Sequence, residues 1–371
     1  AYWNYWSDNS NKEALERAEY IFIEALRYDS TFAQAYTGLA RIFWGSEGYF
    51  SENWLDTARV LLDKAHLFDP GLAEAHTLSG RYFNAKNDTI MALREFDIAI
   101  SLNPNDWEAY YYKADIDTDY INQISNCQKS VLLNRGSELP ILLESLSGSY
   151  DWMGFYDKAM EIAEEVLKLT GDSAHYLLGL GLREVLKGNY DDAFELLERA
   201  YALDTTNGSI IWILSYTYDY LGEKEQAVKY GKMWMELTSL SEITMHRAGY
   251  IYWLQGLEKE ADYYFNLQIE YCIREIELQR RRATERNLNT YYNLAATYAI
   301  TGETEKALEN LRHWLTREVM DAMMLWMLKT DVLLNPIRDH PEFQQIVRDA
   351  EARYQAEHER VRQWLEENEM L

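Results

Sequence analysis

The sequence predicts an all-α fold, an α-solenoid of stacked antiparallel helix pairs closed by a C-terminal capping helix. Three observations predict it. A unit of 34 residues recurs at 73–106, 140–173, 174–207 and 208–241, and self-similarity at such a period marks a repeat architecture. A Gly-x-x-x-x-Ala step recurs within the units as Gly154/Ala159, Gly188/Ala193, Gly222/Ala227, Gly256/Ala261 and Gly302/Ala307. Glycine there allows a tight turn between helices, and alanine lets the second helix approach the first. The 371 residues include only 5 prolines, which suits a chain made almost entirely of helix.

The unit 73–106 sets the pattern. Two helical runs, Ala73–Ala85 and Thr89–Leu102, flank the polar break Lys86-Asn87-Asp88. Small residues (Ala75, Gly80, Ala92, Ala99) alternate with bulky ones (Leu78, Phe83, Leu93, Phe96), and Asn103-Pro104 ends the second run. An aromatic residue precedes the break in most units: Phe83, Tyr150, Tyr218, Tyr252 and Tyr298.

In chain order, Ala1–Trp6 reads as the end of a first helix and Asn11–Tyr28 as its partner, closed by Asp29-Ser30. The next unit starts at Phe32, carries the insertion Gly45–Phe50 and continues as a helix over Trp54–Phe68, ended by Asp69-Pro70. The unit 107–139 is the least regular, its second helix marked by Cys127, Val131 and Leu132. A long second helix is expected from Glu258 to about Arg286, and a further hairpin over 288–321. Residues 1–321 therefore form a repeat region of about nine helix hairpins, and 322–371 a separate C-terminal region. In that region the Pro-punctuated stretch 333–343 leads into a charged helix with a stripe of Phe343, Val347, Ala350, Tyr354 and Val361. One apolar stripe either caps a solenoid or pairs with a second chain as a homodimer; capping is the favoured expectation.

Gly80, Phe96 and Pro104, with Leu180-Gly181, Tyr190, Ala193 and Ala200, resemble the tetratricopeptide repeat. The resemblance implies a right-handed superhelix with a long concave face. The tail Pro336-x-x-Asp339-x-Pro341-x-Phe343 is similar to the end of repeat regions in bacterial (Bacteroidetes-like) signalling proteins. The opening Ala1-Tyr2-x-x-Tyr5, then Ala18, Ala25, Asp29, Ala35-Tyr36 and Leu39-Ala40, is similar to their start, and Leu133–Ser137 fits as well. The resemblance implies the sensory or docking half of an AraC-type or adenylate-cyclase-type regulator with a TolB-like N-terminal part. It implies a periplasmic location where a membrane span precedes the fragment, and a cytoplasmic one otherwise. The first residue is Ala rather than Met, and the chain is expected to be an excised piece of something longer.

Charge narrows the partners. With 36 basic and 61 acidic residues the formal charge is −25, a sign that repels phosphate, so nucleic-acid binding and docking on anionic lipid are not expected of this fragment. No apolar run reaches membrane-spanning length. Cys127 and Cys272 lie far apart in the repeat array, and no disulfide between them is expected.

Motifs for chemistry fail on their own spacing. Gly179-x-Gly181 lacks the third glycine of a dinucleotide loop, since Glu184 stands there. Asp115-x-Asp117-x-Asp119 lacks the glycine and closing glutamate of a calcium loop. The seven histidines show no metal-binding pair of the H-E-x-x-H kind. Asn87 and Asn207 fall in chance glycosylation sequons, and Arg280-Arg281-Arg282 suits a helix C-terminus. No metal, no cofactor and no enzymatic activity are expected.

The functional signal is an aromatic ladder at i, i+4, i+7 on the first helices. It comprises Trp212, Tyr216 and Asp219; His246, Tyr250 and Trp253; and also Arg81, Tyr111, Asp115 and Tyr292. Polar-tipped aromatics in a groove offer large contact area at low entropy cost. The expected function is a non-catalytic scaffold holding a protein segment or peptide, with a small saccharide-like molecule as the alternative. The same rings could instead serve as packing within the superhelix.

Overall fold

A computed structural model describes residues 9–45, 54–238, 244–282, 288–316 and 319–371, and all regular structure among them is helical. The helices, in order, are α1 (Asn9–Tyr28), α2 (Ala33–Gly45), α3 (Trp54–Phe68), α4 (Ala73–Ala85), α5 (Thr89–Leu102), α6 (Trp107–Ile116), α7 (Tyr120–Leu133), α8 (Leu139–Trp152) and α9 (Tyr156–Thr170). They continue as α10 (Ser173–Lys187), α11 (Tyr190–Leu203), α12 (Gly208–Tyr220), α13 (Lys224–Leu237), α14 (Met245–Leu254), α15 (Glu258–Arg282), α16 (Leu288–Ile300) and α17 (Thr304–Trp314). A C-terminal region follows: α18 (Ala322–Thr330), a short 3₁₀ helix (Val332–Ile337) and α19 (Pro341–Glu367). The chain forms two compact units: the first spans Ala1–Asp117 and Asn122–Leu142, and the second Thr118–Ile121 and Leu143–Leu371.

One backbone device turns the chain inside most hairpins. Gly154, Gly188, Gly222, Gly256 and Gly302 all have φ between 72° and 86°, a region L side chains avoid. The residue after each glycine donates its N–H to the carbonyl five residues back: Phe155 to Tyr150, Asn189 to Glu184, Glu223 to Tyr218, Leu257 to Tyr252 and Glu303 to Tyr298. These are the long-range bonds of a Schellman ending. In the break Lys86-Asn87-Asp88, Asn87 takes the glycine's place at φ 59° and Asp88 bonds Phe83 at 2.8 Å.

A second device ends the hairpins. Asp29, Asp69, Asn103, Asn134 and Asp204 each accept from the N–H two residues on, at 2.7–3.1 Å, the Asx turn that redirects a chain leaving a helix. The next helix is then capped at its start in several units: Asp106 accepts from Ala109, Asp172 from His175 and Asn207 from Ile210.

Close approach fixes how each pair packs. A Cβ on Gly80 would lie 2.5 Å from the Phe96 ring, one on Gly249 2.7 Å from Phe265, and one on Gly181 2.9 Å from Leu197. Where the pattern places serine instead, the hydroxyl bonds the facing alanine carbonyl: Ser147 to Ala159 at 2.9 Å and Ser215 to Ala227 at 2.7 Å. The alanines of the Gly-x-x-x-x-Ala step are fully buried. In unit 107–139, Cys127 and Val131 are buried as expected, whereas Leu132 is largely exposed. Both cysteines are buried, and neither is in a disulfide.

The C-terminal region belongs to the second unit and its 3₁₀ helix packs on α16. Leu333, Leu334, Ile337, Phe343, Ile346 and Ala350 share one core with Tyr292, Leu308 and Trp314. The stripe of α19 is used along its length, since Val361 and Leu365 are also buried. Ala1–Trp6, most of the insertion and Arg286 fall outside the described residues, as do the side chains of Arg280–Arg282. No described helix is long and apolar enough to cross a membrane.

Candidate functional site

In the second unit the first helices of successive hairpins present one row of side chains, and the C-terminal region lies against that row. The Tyr216 ring on α12 packs 5.0 Å from Trp326 on α18 and donates to the Thr330 carbonyl at 3.0 Å. Trp326 Nε1 in turn donates to the Tyr190 hydroxyl at 3.3 Å. Arg247 on α14 grips Asp331 with two parallel bonds of 2.8 and 2.6 Å. Tyr292 on α16 donates to the same carboxylate at 2.9 Å, and the Leu333 N–H to its other oxygen at 3.1 Å.

Asp331 is 3% exposed. Burial opposes its ionisation, but the Arg247 guanidinium and the bonds it accepts more than offset that, so its carboxyl lies below the usual carboxylate range. Burial and the same carboxylate hold the Tyr292 phenol well above its ordinary value. Arg247 and Asp331 therefore form a charged pair sealed at the junction of α14, α16 and the turn after α18.

Beside this pair is a pocket of about 270 Å³, lined by Leu182, Val185, Trp212, Tyr216, Trp326 and Met327 among others. Trp212 stands 4.7 Å from Trp234 and lies under Arg247 at 5.9 Å. The pocket is apolar and aromatic, with Arg247 and Asp331 at its polar edge. A smaller pocket of about 170 Å³ runs along α8, α9 and α10. There the buried Arg183 bonds Asp151 at 2.7 Å and Ser147 at 3.0 Å, and its Nη1 is buried without a protein partner.

The remaining expected residues divide between several places. Tyr250 donates to Asp219 at 2.8 Å and stacks on Trp253 at 5.6 Å. Trp253 is 46% exposed and forms the open end of that group. His246 is 2% exposed and held on Gln268 at 2.8 Å, and Tyr292 is 1% exposed; both are enclosed by protein. Burial, with Arg247 nearby, pushes the His246 imidazole down to about 3. In the first unit Arg81 lies between the Trp44 and Tyr112 rings at 4.7 and 4.4 Å. Tyr111 packs edge-on to Tyr112 at 5.0 Å, and burial raises the Asp115 carboxyl. Arg41 bridges Glu74 and Glu108 across α2, α4 and α6 at 2.7–2.9 Å.

The sequence reading missed Arg247, Trp326 and Asp331. Arg247 adjoins the expected His246, and an i, i+4, i+7 count that starts at His246 skips it. Trp326 and Asp331 sit in the region that breaks the repeat, where periodicity carries no signal.

No family model matches the chain, and no curated protein matches it. Among solved structures, yeast Tom70 is similar over 90% of this chain at 15% identity and a TM-score of 0.51. This chain spans 64% of the Tom70 chain's length. A tetratricopeptide repeat protein from Parabacteroides merdae is similar over 72% of this chain and 99% of its own, at 14% identity and a TM-score of 0.43. The human IFIT1 dimer with PPP-AAAA is similar over 82% of this chain and 78% of its own, at 16% identity and a TM-score of 0.48. The likeness shows the fold: an all-α, tetratricopeptide-type solenoid of helix pairs.

Proposed function

We propose that this chain is a non-catalytic scaffold that docks a polypeptide segment on the inner faces of its hairpins. In this reading 1–321 is the repeat body and 322–371 its C-terminal region. The whole serves as the sensory or docking part of a bacterial signalling protein or transcription regulator. One observation carries the proposal. The row formed by α10, α12, α14 and α16 already holds a polypeptide segment, the chain's own residues 322–337, by ring contacts and a bidentate arginine–carboxylate clamp. A helix laid on a row of apolar and aromatic side chains is a recurring recognition mode. The exposed Trp253 in the second unit and the half-buried Tyr111 in the first are where a partner would touch.

The test is site-specific photocrosslinking in the producing cell. A benzophenone amino acid at Tyr111 or Trp253 should give a discrete protein adduct, and one at the exposed Glu195 on α11 should not. Equal labelling at all three positions, or none at the first two, would count against docking.

A second reading rests on the aromatic pocket beside Trp212. Its volume suits a small molecule stacked on Trp212, Tyr216 and Trp326, as a saccharide would be. A thermal-shift screen of saccharides on the whole chain discriminates the two, because a pocket ligand raises the melting temperature by mass action and Trp212→Ala abolishes the rise.

A further inference from the structure

We infer that His66, His76 and Glu95 form a binding site for a divalent transition cation of the zinc class in the first unit. The three residues come from α3, α4 and α5 and are separated by 10 and 19 positions, a spacing that no metal motif would flag. Folding brings one ligand atom of each within 4.8 Å of the others. The His66 and His76 rings stand 4.4 Å apart between centroids, and His76 Nδ1 lies 2.7 Å from Glu95 Oε2.

The surroundings are those of ligands held in place. His76 Nε2 donates to the Pro70 carbonyl at 3.1 Å, so Nδ1, which shares a proton with Glu95 in the metal-free fold, is the atom that becomes a metal donor once that proton leaves. His66 Nε2 meets the Ser79 hydroxyl at 2.9 Å, and Ser79 is itself buried. Outer bonds of this kind orient imidazoles at metal sites. The side chains of His76 and Glu95 are largely shielded, at 12% and 15% exposure. The nearby Arg59 cation, which would oppose a metal ion, is paired with Asp63 at 2.8 Å and lies over the Tyr82 and Phe83 rings.

Two imidazoles and a carboxylate suit zinc, cobalt or nickel rather than calcium or magnesium. Metal–ligand bonds near 2.0–2.2 Å place tetrahedral donors about 3.4 Å apart. The cation would replace the proton shared by His76 and Glu95, so that pair opens while His66 closes in. Three protein ligands leave a fourth position for water or for a ligand from outside. Because the donors sit on three successive helices, the ion would tie one hairpin to the next.

The untagged 371-residue chain, stripped with chelator, is titrated with cobalt(II) and followed by its visible absorption, and with zinc chloride by calorimetry and melting temperature. The expected result is one equivalent bound with a micromolar or tighter Kd, cobalt bands of a four-coordinate site, and a rise in melting temperature. His66→Ala, His76→Ala and Glu95→Gln should each weaken binding at least tenfold while circular dichroism reports the same helix content; His175→Ala, at an exposed pair elsewhere, should change nothing. Binding weaker than millimolar in the unaltered chain, or binding that survives all three replacements, overturns the inference. A variant that loses its helix content is replaced by His76→Gln, which keeps volume and hydrogen bonding and lacks the imidazole donor.

Discussion

Replacing Asp331 with alanine removes the acceptor on which three elements converge. The carboxylate takes two bonds from Arg247, one from Tyr292 and one from the Leu333 N–H. The Tyr292 hydroxyl retains the Met327 carbonyl at 3.2 Å, so its loss is small. Arg247 is the costly partner, because its side chain is 14% exposed and would be left as a buried cation without its counter-ion. Breaking a buried pair in this way costs about 3–5 kcal/mol, and the cap of the 3₁₀ helix adds about 1 kcal/mol. The chain is unfolded in urea at pH 7 and the free energy obtained by linear extrapolation. Asp331→Ala should lose about 4–6 kcal/mol. Adding Arg247→Met should restore part of that loss, since the second change removes the stranded charge. A loss below about 1 kcal/mol, or a double variant worse than the sum of the singles, would refute the assignment of a sealed pair.

Four further outcomes follow from other residues. His246 is neutral in the fold, with its imidazole at about 3 against about 6.5 in the unfolded chain, so its contribution is complete above pH 6.5 and falls as the pH drops toward 3. Between pH 7.5 and pH 5.0 it should remove about 2 kcal/mol, and His246→Gln should flatten that part of the urea-derived profile. Gly222, at φ 83° with nothing within 4 Å of a Cβ, should lose on the order of 1 kcal/mol as alanine and less as asparagine; Gly80→Ala, driven into Phe96, should lose about 1–3 kcal/mol, both read from melting curves. Trp326→Ala removes the ring against Tyr216 and should speed tryptic cleavage after Lys329 in α18, without a comparable change at Arg94 in α5.

The hairpins were legible because their determinants are local. Helix α4 and helix α5 begin and end where the apolar pattern, the Lys86-Asn87-Asp88 break and Asn103-Pro104 place them. The glycines of the Gly-x-x-x-x-Ala step all take positive φ. Asn87 could have been recognised as a further member, since asparagine is the other residue that tolerates that region. The surroundings of the ladder were not legible. Tyr216 and Trp326 meet across 110 positions, and Arg247 and Asp331 across 84, and no period in a repeat encodes a contact with a region outside it. The His66–His76–Glu95 cluster has the same origin, because facing positions on three helices have no fixed separation along the chain.

The return of the C-terminal region through the second unit changes how that unit must come apart. His358 Nδ1 bonds the Met153 carbonyl at 2.6 Å across 205 positions, and Tyr120 bonds Asp321 at 2.8 Å across 201. An open array of repeats frays from its ends, each module lost nearly independently of distant ones. Here the C-terminal region clasps the first residues of its own unit like a belt, and freeing any module of that unit means undoing the buckle first. Hydrogen exchange should therefore show α9 through α17 losing protection together, and the ring should close slowly during folding because its final contacts span most of the unit.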